Sequence, residues 1–139
     1  MLNYACNLER NEARILSILE QYDGKDMTLA QGLYATSKYA LARWVRRVSA
    51  SWAANGVRIN TVAPGNVSTP MTATMSTSAK AALAALPIPI NYGTDELMNP
   101  EDIANVIVFL VSPLAHGING NVMFVDGGTD ALLNSEKVY

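Results

Sequence analysis

The sequence predicts an α/β fold with parallel strands, and the order of its helical and strand-like segments is the basis for this prediction. A long helical segment, Leu33–Ala54, is followed directly by a β-branched run, Val57–Val62. A second helical segment, Ile103–Val111, precedes the short apolar run Val122–Val125. Helices that alternate with short apolar strands are typical of parallel sheets covered by helices. We therefore expect about two strands and three to four helices.

The long helix is expected to carry one continuous stripe of side chains. Six residues follow one another along it at intervals of three and four, namely Tyr34, Lys38, Leu41, Val45, Val48 and Trp52. Residues at this spacing share one face, so a phenol and an ammonium should lie in line with side chains that face the core. Asn55-Gly56 should end the helix, because glycine readily adopts the left-handed conformation found there. The positions off the stripe fit a solvated face better than a phosphate clamp, and they hold Arg43, Arg46 and Arg47.

Residues 72–98 should form a mobile lid rather than one long helix. The segment is rich in Ala, Thr, Ser and Met, and Pro87 and Pro89 would interrupt any continuous helix. After it, Asn99 is expected to cap the next helix with its side chain, with Pro100 in the first helical position. That helix has little polar surface and should be buried on more than one side, and Val122–Val125 should be a strand covered on both faces.

Composition and charge argue against several classes of binding partner. The 139 residues carry a formal charge of −2, with a pI of about 5.3, which favours neither nucleic acid nor an anionic membrane surface. The single cysteine, Cys6, has no partner for an internal disulfide, and no Cys/His cluster has the spacing of a metal site, so we predict no metal. Residues 8–21 should form a short, charged surface helix unlike a signal peptide, which makes the cytoplasm the expected location.

Two short parallel strands make a sheet that is too small to stand alone. Such strands ordinarily have helices on both faces and neighbouring strands beside them. A two-stranded sheet instead leaves apolar helix faces and a strand edge in water. We therefore expect a chain that is incomplete as a domain, and that either associates or is disordered.

Tyr34 and Lys38 are the candidate catalytic residues. They lie four positions apart on the predicted helix, so their side chains share a face. A free phenol has a pKa of about 10, too high for proton transfer near neutrality, and a close cation favours the phenolate and lowers that value. Tyr34 could then act as the general acid/base of an alcohol/ketone interconversion. Taken alone, however, a Tyr-x-x-x-Lys pattern is more often a surface pair.

Three further motifs follow this pair in order. The segment Asn60–Gly65 (NTVAPG) comes at a predicted strand end, Thr69–Met71 (TPM) leads into the lid, and Val125–Gly128 (VDGG) ends the last strand. From about Gly32 to Asp130 the series resembles the C-terminal half of the short-chain dehydrogenase/reductase family. The helical stretch before the tyrosine and the ending Asp126–Ala131 are most similar to the family's bacterial 3α-hydroxysteroid dehydrogenase/carbonyl reductase branch.

The resemblance implies that residues 1–139 form the C-terminal half of a single Rossmann-like, doubly wound parallel sheet, with residues 72–98 as its substrate lid. It implies NAD or NADP as cofactor and an alcohol or ketone, of hydroxysteroid or other carbonyl type, as substrate. Tyr34 would exchange a proton with the substrate oxygen, and Lys38 would also hold the nicotinamide ribose hydroxyls. The loop after the first strand would line the nicotinamide through Pro64, Gly65, the Val67 backbone and Thr69. In this family the last helix and strand are commonly subunit contacts, so a homo-oligomer, or association with a missing N-terminal half, is expected.

The sequence also departs from the family pattern. It contains no glycine-rich motif for the pyrophosphate, and the family's catalytic serine and relay asparagine have no counterpart. Ser17 lies within a helical pattern, Ser37 is expected to bond locally, and His116 sits in a turn without an evident partner. We therefore expect no dehydrogenase activity from this chain alone. A second hypothesis is a non-catalytic oligomerisation or interaction module derived from the same fold, and the choice between NAD and NADP stays open.

Overall fold

The computed structural model describes residues 27–91, 94 and 96–136, and it divides into two compact units, Met1–Ile59 and Asn60–Tyr139. The predicted helix over residues 8–21, together with Cys6 and Ser17, lies outside the described residues. Within the described part, none of the helices combines the length and the apolar character that crossing a membrane requires.

The first unit contains one long helix, α1 (Met27–Ala53). It begins six residues earlier than predicted, because a glycine inside a helix, here Gly32, costs only about 1 kcal/mol and no proline interrupts the segment. The predicted end is confirmed, since Gly56 has a φ of 75°. The Gly56 N–H donates to the Ala53 carbonyl at 2.9 Å and the Val57 N–H donates to the Trp52 carbonyl at 3.1 Å. These two bonds form a Schellman motif, which satisfies carbonyls that the last helical turn leaves unpaired.

The buried face of α1 is not the predicted stripe. Thr36, Ala40 and Val45 are buried, and of these only Val45 belongs to the six predicted residues. Tyr34 is 64% exposed and Trp52 is 40% exposed. The prediction was wrong because spacing alone does not distinguish a face lined by large side chains from one that packs through small residues such as alanine and threonine.

The second unit is built on two strands, β1 (Thr61–Pro64) and β2 (Val122–Val125), which pair in parallel. Thr61 lies opposite Val122 and Pro64 opposite Val125, so the predicted parallel α/β arrangement is confirmed. β1 begins four residues later than predicted, where the Thr61 N–H reaches the Asn121 carbonyl at 2.9 Å. A strand is stabilised only where a neighbour completes its backbone hydrogen bonds, and β2 offers that partner from this point on.

The lid segment, residues 72–98, contains short elements as its prolines predict. After β1 come α2 (Pro70–Ala73), α3 (Thr77–Ala84) and a 3₁₀ turn, Pro89–Asn91. α3 contains no buried residue. The two short helices raise the number of α-helices in the described part to five, above the predicted three to four.

Three more elements complete the second unit, namely α4 (Pro100–Val111), the 3₁₀ turn Pro113–Ala115 and α5 (Thr129–Leu133). Asn99 occupies the N-cap position of α4, but its side chain makes no capping hydrogen bond, contrary to the prediction. The Asp102 N–H bonds instead to the backbone carbonyl of Asn99 at 3.1 Å.

The prediction that α4 is buried on more than one side is also wrong. Leu110 is its only buried residue, whereas Val108 is 64% and Val111 is 74% exposed. Phe124 of β2 is 53% exposed, so this strand is not covered on both faces either. The reason is that α4 packs against the two described strands on one side, and a sheet of this size can cover no more of it.

Candidate active site

The structure brings Tyr34 and Lys38 together on one exposed side of α1. The Lys38 Nζ lies 5.3 Å from the centroid of the Tyr34 ring, which is a cation–π distance. Both side chains are exposed. The Ser37 hydroxyl donates to the Tyr34 carbonyl at 2.7 Å, which confirms its predicted local role. The pair thus presents a phenol and an ammonium that a ligand can reach.

The remaining cations of α1 lie apart from this pair. Arg43, Arg46 and Arg47 are exposed, as expected for a solvated face. The Arg43 guanidinium lies 5.9 Å from the Tyr39 ring centroid, so a second cation–phenol contact of similar geometry occurs five residues further along the helix. Tyr39 is therefore a natural comparison for Tyr34.

The candidate cofactor loop, Pro64–Thr69, begins at the carboxyl end of β1. Pro64 is the last strand residue and is exposed. The Gly65 N–H donates to the Val125 carbonyl at 3.0 Å, and a Cβ placed on Gly65 would lie 2.7 Å from the Asp126 Cα. Only glycine permits so close an approach of two backbones. Ligands of open α/β sheets bind beyond the carboxyl ends of the strands, which is where this loop starts.

Val67 is held in place by an isolated parallel bridge to Met98. The Ser68 N–H donates to the Met98 carbonyl, and the Met98 N–H donates to the Asn66 carbonyl, each at 2.9 Å. In a parallel pairing of this kind, the N–H and carbonyl of Val67 itself point away from its partner. The Val67 carbonyl accepts from the Thr72 hydroxyl at 3.1 Å. The bridge thus fixes the backbone of Val67 and directs its polar groups away from the buried Met98.

Thr69 is the N-cap of α2 and forms a capping box with Thr72. The Thr69 hydroxyl accepts from the Thr72 N–H at 3.3 Å, and the Thr72 hydroxyl accepts from the Thr69 N–H at 2.9 Å. Sequence reasoning missed the part played by Thr72, although Thr69-x-x-Thr72 has the spacing of a capping box. It also missed Asn66, whose side-chain amide donates to the Leu83 carbonyl at 3.2 Å.

The turn that ends β2 forms hydrogen bonds with residues 87–90 of the lid segment. Gly127 and Gly128 have φ values of 64° and 95°, which confirms the predicted glycine turn. The Ile90 N–H donates to the Gly127 carbonyl at 3.1 Å, and the Thr129 hydroxyl donates to the Pro87 carbonyl at 2.6 Å. A Cβ on Gly127 would lie 2.5 Å from a methyl carbon of the Ile88 side chain. Residues 87–90 therefore rest directly on the glycine backbone.

Each of the two units by itself offers groups whose chemistry fits part of a nicotinamide dinucleotide. A backbone N–H and carbonyl, as at Val67, complement the oxygen and amine of a primary carboxamide, and the Lys38 ammonium has three donors that suit ribose hydroxyls. The pyrophosphate of a dinucleotide calls for a Gly-x-Gly-x-x-Gly or Gly-x-x-x-Gly-x-Gly loop before a helix N-terminus, and the sequence contains neither pattern. The described residues hold no group of three or more His, Cys, Asp and Glu side chains that could bind a metal ion.

Comparisons with known proteins agree with the motifs. A family model described as enoyl-(acyl carrier protein) reductase, of the short-chain dehydrogenase/reductase type, matches residues 1–130. The 3-alpha-hydroxysteroid dehydrogenase/carbonyl reductase of Comamonas testosteroni is 35% identical over 124 residues, which cover 88% of this chain and 46% of that protein. The 3-oxoacyl-(acyl-carrier-protein) reductase FabG of Vibrio harveyi is 35% identical over 95 residues, or 68% of this chain and 37% of that protein.

The fold is likewise shared with a solved structure. The 3-alpha-hydroxysteroid dehydrogenase from Pseudomonas sp. B-0831, crystallised in complex with NADH, matches with a TM-score of 0.76 and 36% sequence identity. The match covers 94% of this chain and 48% of that one, so the chain spans about half the length of such relatives. The chain therefore belongs to the short-chain dehydrogenase/reductase family of oxidoreductases and has part of its Rossmann-like fold.

Proposed function

We propose that the chain is the C-terminal half of an NAD(P)-dependent oxidoreductase that interconverts alcohols and ketones, with Tyr34 as its general acid/base. The observation that carries the proposal is the placement of the Lys38 ammonium 5.3 Å from the centre of the exposed Tyr34 ring. The names of the Comamonas and Pseudomonas relatives support a hydroxysteroid or another carbonyl compound as substrate, and the NADH in the latter supports a nicotinamide cofactor.

Each residue of the pair has a distinct task in this proposal. The nicotinamide, when bound, supplies or accepts the hydride at the carbonyl carbon. In reduction Tyr34 donates its phenolic proton to the substrate oxygen as the ketone becomes an alcohol, and in oxidation it takes the proton back. Lys38 balances the negative charge left on the Tyr34 oxygen, and its other donors hold the ribose hydroxyls.

The second unit supplies the nicotinamide contacts and the lid. Pro64 and Gly65 would line the ring, while the Val67 backbone and Thr69 would meet the carboxamide. The bridge between Val67 and Met98 supports this role, because a fixed backbone donor and acceptor orient a ligand without a loss of side-chain entropy. The lid segment would close over the substrate and exclude water from the reacting carbonyl.

The isolated chain is expected to show no ketone-dependent oxidation of NAD(P)H, because it has no motif for the pyrophosphate. A chimera that carries the unmatched half of the Comamonas testosteroni relative ahead of this chain should restore that activity. The measurement is NAD(P)H absorbance with a panel of steroid and simple ketones. Thermal melting and NADH binding establish separately that the chimera is folded.

One result would contradict the proposal, and a second would contradict the expected inactivity of the isolated chain. One is a chimera that melts cooperatively and binds NADH, yet reduces no ketone of the panel. The other is turnover by the isolated chain that disappears in Tyr34→Phe, which would show that the chain needs no second half.

A second candidate function is a non-catalytic oligomerisation module, and the apolar surface of α4 favours it. Val108 and Val111 lie three residues apart on α4, and thus on one face, and are 64% and 74% exposed. Leu114 of the following 3₁₀ turn and Phe124 of β2 are exposed as well. Apolar side chains that lie together on a monomer's surface commonly mark an interaction site. We expect the purified chain to scatter light as a species heavier than the 15.0 kDa monomer, or to melt without a cooperative transition. A sharp transition at monomer mass would contradict this expectation.

A further inference from the structure

Asn66 connects the candidate cofactor loop with the lid segment. It lies one residue before Val67, and its side-chain amide donates to the Leu83 carbonyl at 3.2 Å. Its backbone carbonyl accepts from the Met98 N–H at 2.9 Å, on the bridge that fixes Val67. One partly buried side chain therefore joins two segments that are 17 residues apart in sequence.

The Asn66 side chain forms a hydrogen bond to α3 from outside that helix, and the described residues of α3 make few other side-chain bonds to distant segments. α3 contains no buried residue, and the other side-chain hydrogen bonds that the described residues of α3 make stay within residues 73–80. Leu83 lies in the last turn of α3, where carbonyls have no partner within the helix. Its carbonyl accepts from the Leu86 N–H at 2.9 Å and also from Asn66.

The segments on either side of α3 are held more firmly. On one side, the Thr69–Thr72 capping box is tied to the Val67 carbonyl. On the other side, residues 87–90 rest on the Gly127–Gly128 turn. A movement of α3 away from the cofactor loop between these two anchors must break the bond between Asn66 and Leu83.

We propose that Asn66 is a positioning residue that couples occupancy of the Pro64–Thr69 loop to closure of α3. The proposal rests on the cofactor role proposed above for that loop. A ligand held by the Val67 backbone restrains Asn66, and a restrained Asn66 amide favours the position of α3 in which it bonds to Leu83. Because coupling between two sites is reciprocal, closure of α3 in turn strengthens binding at the loop.

Trypsin offers a direct readout of the position of α3. Lys80 lies in α3, and no other lysine or arginine occurs between Arg58 and Lys137. Cleavage after Lys80 in the full chain, quantified by mass spectrometry relative to cleavage within α1, therefore reports opening of α3. The relative measure also corrects for any general unfolding of the chain.

The test variant is Asn66→Asp, which keeps the size of the side chain but replaces the donor with a carboxylate that faces the Leu83 carbonyl. Loss of one hydrogen bond should raise the relative cleavage after Lys80 about fivefold. Asn66→Gln keeps a donor and should restore part of the protection. Asn55→Asp is the matched control, because the Asn55 amide donates to the Ser51 carbonyl at 2.8 Å near the end of α1. It should leave cleavage after Lys80 unchanged.

The same assay on the chimera, at an NADH concentration that saturates its measured binding, tests the coupling. NADH should slow cleavage after Lys80 in the parent chimera, and this protection should be lost in the chimera that carries Asn66→Asp. Equal cleavage after Lys80 in the parent and Asn66→Asp overturns the proposal, and so does equal protection of the two proteins by NADH, including none in either. Failure of the proposed catalytic function would appear elsewhere, as a chimera that binds NADH and reduces no ketone.

Discussion

Ketone reduction by the chimera should fall about 10³-fold when Tyr34 is replaced by phenylalanine, since positioned proton transfer contributes on this order. The substitution removes the phenolic hydroxyl and leaves the aromatic ring beside Lys38 in place. Tyr34 is 64% exposed, so the change should alter the free energy of unfolding by less than about 0.5 kcal/mol. The loss should appear in kcat, measured by steady-state absorbance at saturating NADH, with melting temperature and NADH binding close to those of the parent.

The control for this experiment is Tyr39→Phe. Tyr39 is 50% exposed on the same helix and also lies beside a cation, Arg43. The same atom is removed, yet no proton transfer is assigned to that position, so the rate should not change. A Tyr34→Phe chimera whose kcat stays within threefold of the parent would refute the assignment of Tyr34 as the general acid/base.

Replacing Gly65 with alanine should destabilise the second unit by about 3 kcal/mol, near the upper end for overpacking. The added Cβ would lie 2.7 Å from the Asp126 Cα and 2.9 Å from the Asp126 Cβ. Backbone atoms cannot rotate away as the end of a side chain can, so the start of the loop and the end of β2 must separate. That separation would strain the bond from the Gly65 N–H to the Val125 carbonyl.

Hydrogen exchange monitored by mass spectrometry can measure this effect on peptides that contain β1 and β2. The matched control is Gly117→Ala, because a Cβ at Gly117 meets no atom within 4 Å and its φ is not positive. Exchange in the strands should accelerate strongly in Gly65→Ala and remain near the parent rate in Gly117→Ala. Equal exchange in the two variants would show that the close approach at Gly65 does not hold the strand ends together.

Features with a local cause were predictable from the sequence. Gly56 ends α1 and Gly127–Gly128 end β2, because a left-handed backbone is a property of the residue itself. The bounds of β2 were predicted correctly, since the run Val122–Val125 is flanked by turn residues. The pairing of Tyr34 with Lys38 also followed, because four residues make about one turn of any α-helix.

Features that depend on distant partners were not predictable in this way. The spacing of residues along α1 does not show that Thr36 is buried while Leu41 is exposed, and α4 is less buried than its composition predicts because the described sheet has only two strands. The bond between Asn66 and Leu83 joins positions with no periodic relation, so no spacing pattern signals it. The roles of Pro64, Gly65, Val67 and Thr69 in cofactor binding remain predictions that the chimera can test.

The glycine turn beneath residues 87–90 limits where the length of the chain can vary. A side chain at Gly127 would collide with Ile88, so this end of the lid segment and the end of β2 have to change together. The described residues of α3 make side-chain hydrogen bonds within residues 73–80, and one further bond, from Asn66 to the Leu83 carbonyl, holds this helix to the loop after β1. If the stretch between Ala73 and Leu86 is part of the proposed substrate lid, insertions or deletions in it would change substrate range while the paired strands β1 and β2 keep their register.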